Sequence, residues 1–445
     1  MYIDKLSLRN FKCFKKVDLD LSKITLLTGP NSSGKSSLLY GLLGPFQSAQ
    51  FPLYLSPNGK YVKMGDYKEM VFKHLVSKRI GIDIEAIDTD DKDKYFLRTE
   101  WVADKRTMMP KLFSLDNSTP TTEAKISTSS STGQYIFKLK YNPKKFLEGE
   151  SSELFKATRP IFKLLDKYIE QLPSKKKREI KKVRVNLLKP YFLRGRRFNS
   201  IEELTEKFYS LHHFLFFPSD DLEDINFISS FRREPQSTYH QKSPSGKTLD
   251  KYGEDYVDQI LQWEKQKHKK FQELKSVLQE LKLLFSLKSK QLSGGRFELH
   301  IKVKRAGLWT LLIDVGFGIS QLLPIIVADL QLESGSTLFI AQPEIHLHPS
   351  AQASLADYFV NQIKKKRKRY IIETHSEYLL NRVRLAIAKR KLEPGDVSVY
   401  YFENTLGGTQ TQKVLFTKDG RIENAPKSFF NTYMIDAMDI ALNAK

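Results

Sequence analysis

Gly29-Pro30-Asn31-Ser32-Ser33-Gly34-Lys35-Ser36 fills every fixed position of the pattern G-x-x-x-x-G-K-[ST]. Its flanks decide its meaning. Before it, Ile24-Thr25-Leu26-Leu27 is a short apolar run of the kind that buried parallel strands carry. After it, Leu38, Leu39, Leu42 and Leu43 recur at helical spacing. Strand, glycine loop and helix in that order predict a phosphate cradle. The glycines let the backbone curl so that amides turn inward, and the helix aims its positive end at the same anion. In this reading Gly29, Pro30, Asn31, Ser32, Ser33, Gly34 and Ser37 line the loop. Lys35 reaches the β/γ-phosphates of ATP, and Ser36 places its hydroxyl on Mg²⁺.

The rest of the chain bounds what surrounds that loop. At 445 residues it is long enough for several domains or one large domain with insertions, and 40% hydrophobic residues suffice for a core. A single cysteine, Cys13, excludes an intrachain disulfide framework and a thiolate zinc cluster. No apolar run approaches the length of a membrane span, since residues 322–330 are few and contain Asp329, and the N-terminus lacks a signal-peptide layout. A soluble, cytoplasmic chain without membrane contact is expected. Net charge is +22, which favours nucleic acid, nucleotide or an acidic partner, or belongs to a solvated lysine-rich surface.

The middle of the chain has a different texture. Residues 116–133 are rich in Ser and Thr and read as a mobile loop. Residues 173–197 are strongly basic and carry Tyr191 and Phe192 among the charges, which suits a nucleic-acid backbone, an acidic protein surface or a solubilising face. Residues 252–287 have helical spacing, and strand patterns return from residue 291. The expected fold class is α/β, with three segments: 1–80 carrying the phosphate loop, 81–290 as a long mixed helical and strand insertion, and 291–445 completing the first segment's core.

The opening Leu6-Ser7-Leu8-Arg9-Asn10-Phe11-Lys12-Cys13-Phe14, followed by the 24–27 strand and the glycine loop, resembles the start of RecF/SMC-like ATPases. These are ABC-type ATPases of DNA repair, chromosome maintenance and mobile-element defence. Asp314-Val315-Gly316-Phe317-Gly318-Ile319-Ser320-Gln321 resembles the signature helix of an AAA/OLD-related subgroup found in anti-phage systems. Gln342-Pro343-Glu344-Ile345-His346-Leu347-His348-Pro349 resembles its Walker B and D-loop segment, and Glu373-Thr374-His375-Ser376-Glu377 its switch-histidine segment. Phe231-Arg232-Arg233-Glu234-Pro235 also fits. The resemblance covers residues 1–80 and 225–435 and implies an ABC-type P-loop ATPase head. Leu292-Ser293-Gly294-Gly295 copies the ABC tetrapeptide literally but lies 48 residues before Ala341, where the Gly318 loop lies 23 before it. One helix fits the second interval, so residues 292–295 read as a turn.

The resemblance assigns further roles. Gly316, Gly318 and Ser320 would face the γ-phosphate held by a second copy, so that ATP joins a homo-oligomer, a head-to-tail dimer or higher. His375 would sense the γ-phosphate, His346 and His348 would sit on a D-loop at the dimer face, and Gln47 is a candidate metal-side glutamine, with Gly65-Asp66-Tyr67 near it. The Walker B segment departs from the pattern. Ala341 stands where a Mg²⁺-associated carboxylate is usual, and Gln342 where a water-activating glutamate is usual. Glutamine orients water but accepts a proton poorly. Glu344 either substitutes as the base or supports the site from a distance, and the expectation is intact ATP binding with impaired hydrolysis. No acidic nuclease module is seen, so a companion effector such as a nuclease is expected to do any cutting, with the chain as its nucleotide-gated sensor and scaffold in anti-phage defence. The competing role is a RecF-like DNA-binding ATPase of repair. The run Lys364-Lys365-Lys366-Arg367-Lys368-Arg369 reads as a solvated loop or as a phosphate contact.

Overall fold

The computed structural model describes residues 2–48, 51–88, 92–120, 122–129, 134–141, 191–198, 225–242, 248–426, 429 and 442. The chain opens with strands β1 (Tyr2–Phe11), β2 (Phe14–Asp20) and β3 (Ile24–Thr28), then helix α1 (Lys35–Phe46). It divides into two compact units: Met1–Leu19 with Gly41–Glu223, and Asp20–Tyr40 with Asp224–Lys445. Residues 225–290 thus pack with the C-terminal segment, whereas the sequence assigned them to the insertion.

In the first unit, a short helix α2 (Tyr67–Met70) precedes strands β4 (Ile80–Ile87), β5 (Lys94–Ala103), β6 (Pro110–Ser118), β7 (Thr122–Thr128), β8 (Tyr135–Tyr141) and β9 (Tyr191–Phe198). They join one eight-stranded sheet in the order β2-β1-β4-β5-β6-β7-β8-β9. The expected mobile loop at 116–133 is corrected here. Residues 114–118 pair antiparallel with 123–127, and Ala124 and Ile126 are buried while Glu123, Lys125 and Ser127 are exposed. That is the period-2 alternation of a half-buried strand, with Ser127 on its solvent face, while Thr128 shares the face of Ala124 and Ile126 and donates to the Phe113 carbonyl at 2.8 Å; residues 121 and 130–133 lie outside the described residues. Most of the basic 173–197 stretch lies outside the described residues; its last part forms β9.

The second unit is built on a parallel sheet. Its strands are β10 (Ile225–Ile228), β15 (Thr337–Ala341), β16 (Arg369–Glu373), β3, β17 (Val397–Thr405), β18 (Gly408–Phe416) and β19 (Ile422–Glu423), in that spatial order. β10, β15, β16, β3 and β17 run parallel, and β18 and β19 return antiparallel. A smaller sheet holds β11 (Tyr239–His240), β12 (Ser286–Gln291), β13 (Arg296–Lys302) and β14 (Thr310–Leu311). Helices α3 (Tyr256–Lys265) and α4 (Lys269–Glu280) realise the helical spacing of 252–287 with one break. Helices α5 (Phe317–Gln331), α6 (Pro349–Lys366) and α7 (Glu377–Ala388) complete the layers. Every residue of α5 from Ser320 to Leu330 is buried, so it is a core helix with no solvent stripe over that stretch. No described helix is long and apolar enough to cross a membrane.

One buried charge cluster fixes the start of β16. Asp329 on α5 is fully buried and accepts from the Tyr358 hydroxyl at 2.5 Å and the Tyr370 hydroxyl at 2.9 Å. The Lys368 ammonium pairs with its carboxylate at 3.2 Å and also donates to its backbone carbonyl. The run 364–369 is therefore no uniform solvated loop. Lys364, Lys365 and Lys366 lie in the last turn of α6, where the helix dipole favours cations, Arg367 turns left-handed to end the helix, and Lys368 enters the core.

Candidate functional site

The phosphate loop joins β3 to α1, and its backbone takes the curl the glycines were read to permit. Gly29, Ser32 and Gly34 all have positive φ, at 137°, 59° and 96°. A side chain on Gly29 would meet the Phe402 carbonyl oxygen at 2.3 Å, so only glycine lets the loop pass this close to β17. Asn404 on the same strand donates to the Ser32 carbonyl at 2.8 Å and props the loop from outside. Lys35 is buried. Its ammonium donates to the Gly29 and Pro30 carbonyls at 2.9 and 2.7 Å and to the Ser33 hydroxyl at 3.4 Å, all neutral groups. Burial pulls its pKa down, against the opposing fields of Glu373 and Glu344. Ser36, the next residue, is exposed.

The strand ends beside the loop carry the acids. β16 lies between β15 and β3, and its last residue, Glu373, pairs with Ala341 on one side and Leu27 on the other. The Ser36 hydroxyl lies 2.9 and 3.1 Å from the two Glu373 carboxylate oxygens. Burial raises the Glu373 pKa, and Ser36 and Lys35 pull it back. Ala341 ends β15 without a polar group. Gln342 follows in the left-handed region, φ 48°, with its N–H on the Glu373 carbonyl at 2.7 Å. Its carbonyl accepts from Arg232 Nη2 at 2.8 Å. The Gln342 turn is thus pinned at both of its peptide groups.

Glu344 comes next. Its Oε1 accepts from the His375 N–H at 2.6 Å, and burial raises its pKa against the pull of that amide, the Thr374 hydroxyl and Arg232. Arg232 is itself buried, which brings its pKa down to about 10, and its Nε and Nη1 find no hydrogen-bond partner among the described residues. His375 is exposed, and partial desolvation together with the charge of Lys35 lowers its pKa, which favours the neutral imidazole. The helix behind it is capped by Ser376, whose hydroxyl accepts from the Leu379 N–H at 3.0 Å, and His375 is left out of the cap. Lys35, Ser36, Glu344, Glu373 and His375 thus form one cluster at the ends of parallel strands, where α/β sheets place their ligands.

The signature segment is more divided. Gly316 precedes α5, is exposed, and a side chain there would meet nothing within 4 Å. A Cβ on Gly318 would fall 2.7 Å from the His346 carbonyl oxygen, so this glycine serves packing within the chain. Ser320 is fully buried and donates to the Phe317 carbonyl at 2.8 Å, one turn back in its own helix. Its hydroxyl is turned away from solvent, which differs from the phosphate contact expected of it; the exposed residues of this segment are Asp314, Gly316 and Phe317. His346 is exposed and sits edge-on to Phe317 at 5.3 Å, and His348 caps α6 through the Ser350 N–H. Gln47 holds a loop of its own unit. Its Nε2 donates to the Ser56 carbonyl at 2.8 Å, and its Oε1 accepts from the Tyr61 and Val62 amides. Asp66 caps α2 through the Glu69 N–H. Gly294 and Gly295, both with φ near 70°, form the β12–β13 turn, as their sequence context indicates.

Sequence reasoning singled out neither Glu373 nor Arg232 for a role. Both stood inside quoted segments, but only strand order and register bring Glu373 to Ser36.

A family profile described as an AAA ATPase domain matches residues 1–380. Among solved structures, the chain is similar to the SMC head domain from Thermotoga maritima, with a TM-score of 0.42, 10% identity, and 93% of this chain and 99% of that chain covered. It is also similar to an SmcHead bound to the C-winged helix domain of ScpA, with a TM-score of 0.45, 13% identity and coverage of 94% and 99%. A third likeness is an Smc head domain with an extended coiled coil, bound to the C-terminal domain of ScpA, derived from Pyrococcus furiosus, with a TM-score of 0.42, 13% identity and coverage of 100% and 99%. No curated protein matches the chain. With the profile matching residues 1–380, the chain belongs to the AAA ATPase domain family.

Proposed function

We propose that the chain binds ATP with Mg²⁺ at the Gly29–Ser36 loop and closes on a second copy, head to tail, as a nucleotide-held switch with slow turnover. The observation that carries this reading is the buried Lys35 ammonium, whose hydrogen bonds among the described residues go to neutral groups of its own loop, beside the exposed residue Ser36. A lysine so placed exchanges carbonyl partners for phosphate oxygens without breaking an ion pair. The positive-φ backbone at Gly29, Ser32 and Gly34 fits a phosphate-binding loop, and Ser36 supplies the hydroxyl that such loops offer to the metal. Bound magnesium would offset phosphate charge and help fix the nucleotide for attack.

Ala341 brings no carboxylate and Gln342 accepts a proton poorly, which supports slow hydrolysis. Glu344, held by the His375 N–H and with a raised proton affinity, is the group best placed to act as base. His375, neutral and exposed, is suited to donate toward a terminal phosphate. For the second copy's side, the open surface at Gly316 is the contact, with Gly318 and Ser320 shaping the helix beneath it. A metal-side role for Gln47 requires it to release Ser56, Tyr61 and Val62.

The test is molecular mass by light scattering with and without a non-hydrolysable ATP analogue. The mass should double with analogue, and phosphate release should stay low. Gly316→Arg, at a position with room for a side chain, should bind nucleotide normally and remain a monomer. No analogue-dependent mass change in the wild type removes the switch reading. Resemblance to anti-phage ATPases supports a role in bacterial defence, with the closed dimer holding or releasing a companion effector such as a nuclease. The net charge of +22 favours the competing role, direct DNA binding in repair. Affinity for bare DNA that falls steeply with salt selects the second; co-purification with a neighbouring-gene product selects the first.

A further inference from the structure

The geometry points to Glu373 as the metal-associated carboxylate of this site, supplied from β16 in place of the side chain that Ala341 lacks on β15. The inference rests on the ATP reading above and deepens it. P-loop NTPases hold magnesium between the loop's Ser or Thr and an acidic side chain at a neighbouring strand end. Here the loop hydroxyl is that of Ser36, and the acid on it is Glu373, 2.9 and 3.1 Å away through its two oxygens.

Topology explains how the role moves. Ala341 and Glu373 are register partners on adjacent parallel strands, so their side chains leave the sheet on the same face and at the same level. β16 is also the strand next to β3, which carries the phosphate loop, so Glu373 starts one strand nearer to Ser36 than Ala341 does. Its backbone is held on both sides: the Gln342 N–H donates to its carbonyl at 2.7 Å, and the following Thr374 N–H donates to Leu27 at 2.9 Å. The other acid of the cluster, Glu344, accepts from the His375 amide through one oxygen, Oε1, and lies in the field of Arg232. The two carboxylates therefore divide the work by position: Glu373 at the metal-binding hydroxyl, Glu344 beside the switch histidine.

The test is the magnesium dependence of nucleotide affinity, read with a fluorescent ATP analogue in EDTA and in excess Mg²⁺, using the full chain. The wild type should bind more tightly with magnesium. Glu373→Gln should lose most of that gain, about 10- to 100-fold, while affinity in EDTA is kept. Adding Ala341→Asp to Glu373→Gln returns a carboxylate to β15 and should restore the gain. Should Glu373→Gln not fold, Glu373→Asp keeps the charge but shortens the reach to Ser36, and must likewise diminish the magnesium-dependent gain. An unchanged gain in a folded Glu373 variant overturns the assignment while leaving ATP binding in place. A wild type that binds no analogue in either condition overturns the ATP reading instead.

Discussion

Strand β16 has a buried lysine–carboxylate cluster at each end, and the two are wired differently. At its start, Lys368 meets Asp329 at 3.2 Å, and the tyrosines Tyr358 and Tyr370 fill the other positions around the same carboxylate. At its end, Lys35 and Glu373 lie close enough to affect each other's titration, yet each is bonded elsewhere, Lys35 to its own loop and Glu373 to the exposed Ser36. The first cluster is closed: opposite charges neutralise each other, with no solvent-facing member. The second is open: its cation has only neutral partners and its hydroxyl faces water. A closed cluster holds a fold together, whereas an open one is completed by a ligand. The residue types are nearly the same, so connectivity separates structure from function here.

Breaking the closed end should give the largest effect. Lys368→Met leaves the Asp329 carboxyl buried without its cation, and losing one partner of a buried pair costs about 3–5 kcal/mol. Urea unfolding should show that loss, with nucleotide affinity of the folded protein unchanged. Asp329→Asn combined with Lys368→Met should recover part of it, because no uncompensated charge remains.

Lys35→Ala should do the reverse. Removing the cation of the proposed phosphate site should weaken ATP binding by about 2–5 kcal/mol, with little change in the urea midpoint. Isothermal titration with ATP measures the first and unfolding the second. Equal loss of stability in both lysine variants would erase the distinction between the clusters.

What was legible in the sequence follows the same division. The phosphate loop was readable because its parts are contiguous: residues 24–43 carry strand, turn and helix in one stretch, and Lys35 bonds within six residues of itself. The Glu373 contact was not, because Ser36 and Glu373 are 337 positions apart and meet only through the β15-β16-β3 order. Lys368 looked like its five basic neighbours, and nothing local marks the one residue of the run that turns into the core. Residues 116–133 misled by composition, since a stretch rich in Ser and Thr resembles a linker until Ala124 and Ile126 are seen to alternate with Glu123, Lys125 and Ser127. The family resemblance points Ser320 at a phosphate, but helical phase turns it inward onto Phe317.

Single hydroxyl deletions carry the comparison to smaller effects. Tyr358→Phe and Ser36→Ala each remove one O–H from a carboxylate beside a lysine. At the closed end the lost bond is to the fully buried Asp329, which pairs with Lys368, and hydrogen bonds to charged groups are worth about 1.5–3 kcal/mol. Tyr358→Phe should lower the unfolding free energy by that amount.

At the open end the same chemical change should barely register in stability. Ser36 is exposed, so water takes the place of its hydroxyl at Glu373, and substitutions of this kind stay within about 0.5 kcal/mol. The expected result is a urea midpoint for ligand-free Ser36→Ala that overlays the wild type, together with a loss of the affinity that magnesium adds to ATP binding. Stability and ligand affinity thus move independently at Ser36, because the hydroxyl does its work only when a ligand completes the cluster. A midpoint shift as large as that of Tyr358→Phe would mean that the Ser36–Glu373 bond is a structural tie like the one at Asp329. The end of β16 would then be a second closed cluster, with no binding site held open beside the phosphate loop.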